Sequence, residues 1–257
     1  MVAVELLVLA SAVAFVVVGA GVGTKLLWLA RRTRGFPELV VGFSLSVLAA
    51  VAWPLLLLAS APASPPAPVL RGALAGASLA MALGWSGVFL FTWRVFRPGA
   101  GWARALAGLG IAAELAAGGA GVIRALSLPD AAALRTPAPS GLALLLAAQL
   151  VYGWTAVESF RHRALLRRRI PLGLADPLVA DRFGLWGWTG VFGGGSLLPA
   201  SWAMLTGGDP NSAVSHLLVG VCGLVCSGAL ALAFLPPAAY VRFVRESAPA
   251  PVTGGGP

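Results

Sequence analysis

Charge is what this sequence has least of. Only 11% of its 257 residues are Asp, Glu, Lys or Arg, against about a quarter in a soluble globular domain. A chain so poor in charge, with 58% hydrophobic residues, cannot present a water-facing surface and belongs in lipid. Lysine is nearly missing. Lys25 stands alone beside 17 arginines and falls in the first apolar run, so a Schiff-base retinal site in the last run is excluded. Histidine and cysteine number two each, too few and too scattered for a metal site. Cys222 and Cys226 lie one helical turn apart in the last apolar run and read as small, polarizable packing residues. No His-rich, paired-Asp or Cys-His constellation is present, so enzyme chemistry is not expected and no metal or cofactor is called for. Ser196 and His216 do not make a catalytic dyad: Ser196 falls about nine residues, or ~13 Å, inside the outer end of its helix, while His216 is near the surface.

What is there is a succession of apolar runs. Seven segments, at about 2–29, 37–60, 69–96, 102–126, 140–169, 177–205 and 213–235, are each long enough for a span of roughly 20 residues. They predict an all-α integral membrane protein, a seven-transmembrane-helix bundle forming one domain over 1–246. The Pro- and Gly-rich tail 247–257 is expected to be disordered. The first run has Glu5 ahead of it and Lys25, Arg31, Arg32 and Arg34 at its far end. That is the reverse of a signal peptide and fits a helix entering from outside. Pro54 predicts a break in the second helix. Asp176-Pro177 is a helix-start signal, a capping carboxylate followed by proline at the first helical position. The sixth helix, about 43 Å long at 1.5 Å per residue, exceeds the ~30 Å hydrocarbon core. Its first turns are expected to stand in the cytoplasm beside the end of the fifth.

The net charge of +9 sits in short loops, where it orients a membrane protein; nucleic acid is not an expected partner. Fifteen of the 18 Lys and Arg residues fall on one side of the seven runs and three, Arg71, Arg124 and Arg135, on the other. The N-terminus is therefore expected outside and the C-terminus in the cytoplasm. The excess of arginine over lysine and the abundance of Ala and Gly suggest a GC-rich bacterial genome, and so a plasma (inner) membrane.

Candidate functional residues are the polar ones at depth. Glu114 lies mid-helix in Gly110-Ile-Ala-Ala-Glu114-Leu-Ala-Ala-Gly118. A carboxylate at the bilayer midplane is costly and must face the bundle interior or water. Ser46, Ser86, Gln149, Tyr152 and Ser196 fall at similar depth. Glu114, Gln149, Tyr152, Ser196 and Trp188 are the candidate ligand- or proton-binding set. The sixth helix also holds Gly193-Gly194-Gly195, a place of weak helix propensity or close approach. Arg161, Arg163, Arg167, Arg168 and Arg169 form a basic segment suited to anionic lipid headgroups or a cytoplasmic protein partner.

These features favour a receptor- or sensor-like protein that binds a small or lipidic ligand in the bundle and relays to a cytoplasmic partner. A proton-coupled carrier using Glu114 is the alternative, and a lipid-acting membrane enzyme a third. The orientation has a direct test. Reporter fusions after Arg97 and after Arg169 should read cytoplasmic and fusions within 61–68 external; reversed signals would refute it.

Overall fold

The computed structural model describes residues 2–60, 65–128, 133–134, 136–209 and 212–247. The tail after Ser247 and part of the 61–68 loop lie outside the described residues. Among those described there is no strand; the chain is helical almost throughout. The helices are α1 (Val2–Thr33), α2 (Phe36–Ala59), α3 (Ala67–Phe96), α4 (Gly101–Ser127), α5 (Pro139–Arg169), α6 (Pro177–Thr206), α7 (Ala213–Phe234) and the short α8 (Ala238–Glu246).

Local chemistry explains the boundaries. Proline occupies the first or second position of α2, α3, α5 and α6, where its missing N–H costs nothing. At α6 the Asp176 side chain accepts from the Leu178 backbone N–H at 2.8 Å. Gly207, at φ 69°, ends that helix in the left-handed conformation. Within α2, Leu48–Ala52 form a π-turn just before Trp53-Pro54. Pro54 cannot donate to the carbonyl four residues back and its ring crowds it; the widened turn relieves that clash.

Among the described residues six helices are long and apolar enough to cross a membrane: α1 to α5 and α7. The 30-residue α6 is diluted by glycine, serine and tryptophan, yet it packs along α5 and α7 as fully as any neighbour in the bundle. The packing order is a ring. α1 lies against α2 and α7, α2 against α3, α3 against α5, α5 against α6, and α6 against α7. α3 and α5 run in the same direction, and α4 returns between them, packed on the outside of both.

Small residues let the backbones meet, as expected where lipid supplies no hydrophobic drive between helices. The α5–α6 seam is the clearest case. Gly184, Gly187, Gly190 and Gly193 recur every three residues along α6 and take up Arg163, Phe160, Ala156 and Tyr152 of α5. A Cβ on Gly190 would stand 2.8 Å from the Tyr152 carbonyl oxygen, a backbone atom that cannot rotate away. Gly190→Ala should therefore lower stability by about 1–3 kcal/mol. Gly153→Ala, where a Cβ meets nothing within 4 Å, should be neutral or stabilising by up to ~1 kcal/mol. Thermal melts in detergent compare the two; equal losses would show that the seam tolerates expansion.

Candidate functional site

Inside the ring lies a cavity of about 50 Å³, bounded by α1, α2, α3, α5, α6 and α7. Phe15, Trp53 and Trp85 wall it with aromatic surface, and Ser11, Tyr152 and Ser196 supply polar atoms. Its volume admits one or a few waters, well short of the ~300 Å³ at which small-molecule sites begin. The Trp85 indole N–H donates to the Tyr152 hydroxyl oxygen at 3.4 Å, tying α3 to α5 across the middle of the bundle. Ser196 donates to the Gly193 carbonyl at 2.7 Å, in its own helix.

The five residues singled out from the sequence divide between separate places. Tyr152 and Ser196 share the cavity. Glu114 is fully buried, but on α4, outside the ring. On α3, Phe89 meets Gly110 and Ala82 meets Gly118, which sets Glu114 level with Trp85 and Ser86. Both Glu114 carboxyl oxygens and the Ser86 hydroxyl are buried with no hydrogen-bond partner among the described residues. Gln149 turns to α6, where its Nε2 donates to the Ser201 hydroxyl at 2.5 Å. Trp188 faces outward at 46% exposure, packed edge-to-face on Phe160 with ring centroids 5.3 Å apart. It does not reach the cavity. Beside Tyr152 and Ser196, the aromatic side chains that do, and that carry no charge to attract notice in the sequence, are Trp85, Trp53 and Phe15.

At the arginine-bearing end the ring opens into a second space, a crevice of about 460 Å³ between α1, α2, α3, α6 and α7. Two polar fastenings flank it. Arg97, in the α3–α4 turn, donates from Nε to Glu158 of α5 at 2.9 Å, and Glu158 is buried. Tyr240 of α8 donates its hydroxyl proton to Asp181 of α6, and Arg163 of α5 pairs with the same carboxylate at 3.9 Å. Burial and the bond to Asp181 push the Tyr240 hydroxyl up to about 12, so it stays a donor at neutral pH. Between these, the Thr92 and Thr155 hydroxyls meet at 2.7 Å. The α3–α5 seam thus carries polar contacts from the cavity wall to the end of the bundle.

Of the basic segment, Arg161, Arg167, Arg168 and Arg169 are exposed on α5, whereas Arg163 is half-buried against Gly184 of α6. Ordered aromatic packing joins the same region: His162 stacks near Phe183 at 4.5 Å, and Phe96 contacts both. Among the described residues no cluster of three His, Cys, Asp or Glu could hold a metal ion. Comparison of the chain with protein-family models, with curated proteins and with solved structures finds no match in any of the three.

Proposed function

We propose that this chain is a seven-span sensor or receptor of a bacterial inner membrane, with its N-terminus outside and its C-terminus in the cytoplasm. In this reading α6 is the seventh span, and the protein is not an enzyme. A small or lipidic ligand held in the bundle alters the position of α6, and a cytoplasmic partner reads the change at the basic end of α5.

The observation that carries the reading is the reach of α6. One helix lines the central cavity through Gly193, Ser196 and Leu197 and lines the crevice through Val179, Arg182, Phe183 and Trp186. At its start it also holds the Asp181 fastening to α5 and α8. A shift at one place is delivered to the others by a single element in close backbone contact with its neighbour. Helix displacements of ~1–2 Å are the usual size of such signals.

Coupling along α6 can be measured without knowing the ligand. A Cβ on Gly193 would stand 3.2 Å from the Tyr152 ring, so Gly193→Val should drive that ring and α6 apart. Spin labels at Val95 of α3 and Val179 of α6, in a background lacking both cysteines, should report a changed separation of about 1–2 Å. An unchanged distance in a folded Gly193→Val protein would remove the relay.

A proton-coupled carrier is the second reading, favoured by one observation: the buried, unpartnered carboxyl of Glu114. Such a group is a candidate proton binder in a membrane helix. The two readings part on flux. Sealed vesicles holding the protein should pass protons no faster than protein-free vesicles, and Glu114→Gln should leave that unchanged. A flux that Glu114→Gln abolishes would overturn the sensor reading in favour of the carrier.

A further inference from the structure

The crevice at the arginine-bearing end is of a size that takes a small-molecule ligand, and its chemistry is divided in two. Its rim holds Lys25 of α1, Arg182 of α6 and Glu38 of α2; its walls are apolar and aromatic, with Phe183, Trp186 and Phe234 prominent. Trp186 packs edge-on against Phe234, centroids 5.5 Å apart, which fixes the wall.

The rim is short of negative charge. Among the described residues neither Lys25 nor Arg182 forms an ion pair. Lys25 donates one hydrogen bond, to the Phe234 carbonyl at 2.9 Å, at the C-terminal end of α7. An ammonium has three donors, so two are left over. Glu38, the only carboxylate on the rim, sits in the first turn of α2. Its one negative charge set against two cations leaves the rim with a net charge of +1.

The wall beneath the rim is apolar. Trp186 is 8% exposed, and its indole N–H is buried with no acceptor. An indole nitrogen donates only, and among the described residues this one has no acceptor, so its contribution to the crevice is the apolar face of the ring.

We propose that the crevice binds one anionic phospholipid. Its phosphate would lie between Lys25 and Arg182, and an acyl chain would lie along the aromatic wall of Phe183, Trp186 and Phe234. The ligand class is a phosphate monoanion carried on an apolar tail. The inference deepens the sensor reading by naming the class of its ligand, and it rests on that reading only for what the lipid does once bound. This crevice is separate from the exposed arginines Arg161, Arg167, Arg168 and Arg169, whose attraction for lipid headgroups needs no enclosed site.

The test uses the full chain purified in neutral detergent, with bound lipid counted by native mass spectrometry and stability followed by melting. The probes are dioleoylphosphatidylglycerol, dioleoylphosphatidylcholine and inorganic phosphate. One phosphatidylglycerol should be retained and should raise the melting temperature, with phosphatidylcholine and phosphate well behind. Lys25→Gln and Arg182→Gln should each weaken retention about fivefold, the worth of roughly one charge near an anionic headgroup. Glu38→Gln should tighten it by a similar factor, an effect of opposite sign that misfolding cannot mimic. Arg168→Gln should leave it unchanged. Equal retention of the two lipids, or indifference to Lys25, Arg182 and Glu38, would overturn the proposal. Protection by inorganic phosphate equal to that by phosphatidylglycerol would replace the lipid with a free anion and overturn it also. An empty crevice in a protein whose α6 still moves with Gly193→Val would refute the lipid site and leave the sensor reading standing.

Discussion

Backbone-to-backbone approach at glycine is the constraint on which the rest of this bundle depends. Lipid is as apolar as leucine, so the helices gain nothing by hiding side chains from it and must gain by contact. Gly190 against the Tyr152 carbonyl, and Gly118 against Ala82 and the Ser78 backbone, bring neighbouring helices closer than any side chain would permit. That closeness leaves little internal space. The central cavity is small where α5 and α6 touch along their glycines, and larger spaces lie toward the ends of the bundle, about 460 Å³ at the arginine-bearing end and about 620 Å³ between α5, α6 and α7 at the other.

The polar contacts are placed where glycine does not govern. Trp85 with Tyr152, Thr92 with Thr155 and Arg97 with Glu158 all join α3 to α5, the pair running in the same direction. Individually such bonds contribute modestly in a membrane, about 0.6 kcal/mol on average. Their collective role is orientation: they fix the rotation of two helices whose connecting helix, α4, lies outside the ring. Glu114 is the cost of that arrangement. It faces α3 from the outer helix, fully covered and with neither oxygen bonded.

Much of the helical layout is written locally. Each apolar run is long enough to be a helix, Asp176-Pro177 carries its own start signal, and Pro54 marks a break that becomes a π-turn. The sharing of faces is not written locally. Trp186 and Trp188 look alike in the sequence, yet two residues on a helix differ by about 200°. One therefore lines the crevice at 8% exposure while the other faces outward at 46%. Trp85 gave no signal because its partner, Tyr152, is 67 residues away. Gln149 and Glu114 fall at similar depth, but depth does not say which neighbour a side chain meets: Ser201 for one, the α3 wall for the other. The recurrence of glycine at 184, 187, 190 and 193 is visible in the sequence, since residues three apart are neighbours on a helix surface.

The Arg97–Glu158 pair also bears on how the chain is made. Arg97 lies in the turn between α3 and α4, while Glu158 is on a helix that follows it by 61 residues. When the α3–α4 hairpin leaves the ribosome and enters the bilayer, its guanidinium has no counter-charge, and the carboxylate that will cover it has not been synthesised. Glu158 in turn meets a waiting cation on arrival and becomes 4% exposed. Chain order thus makes the contact a late one: it forms only once α5 has joined α3.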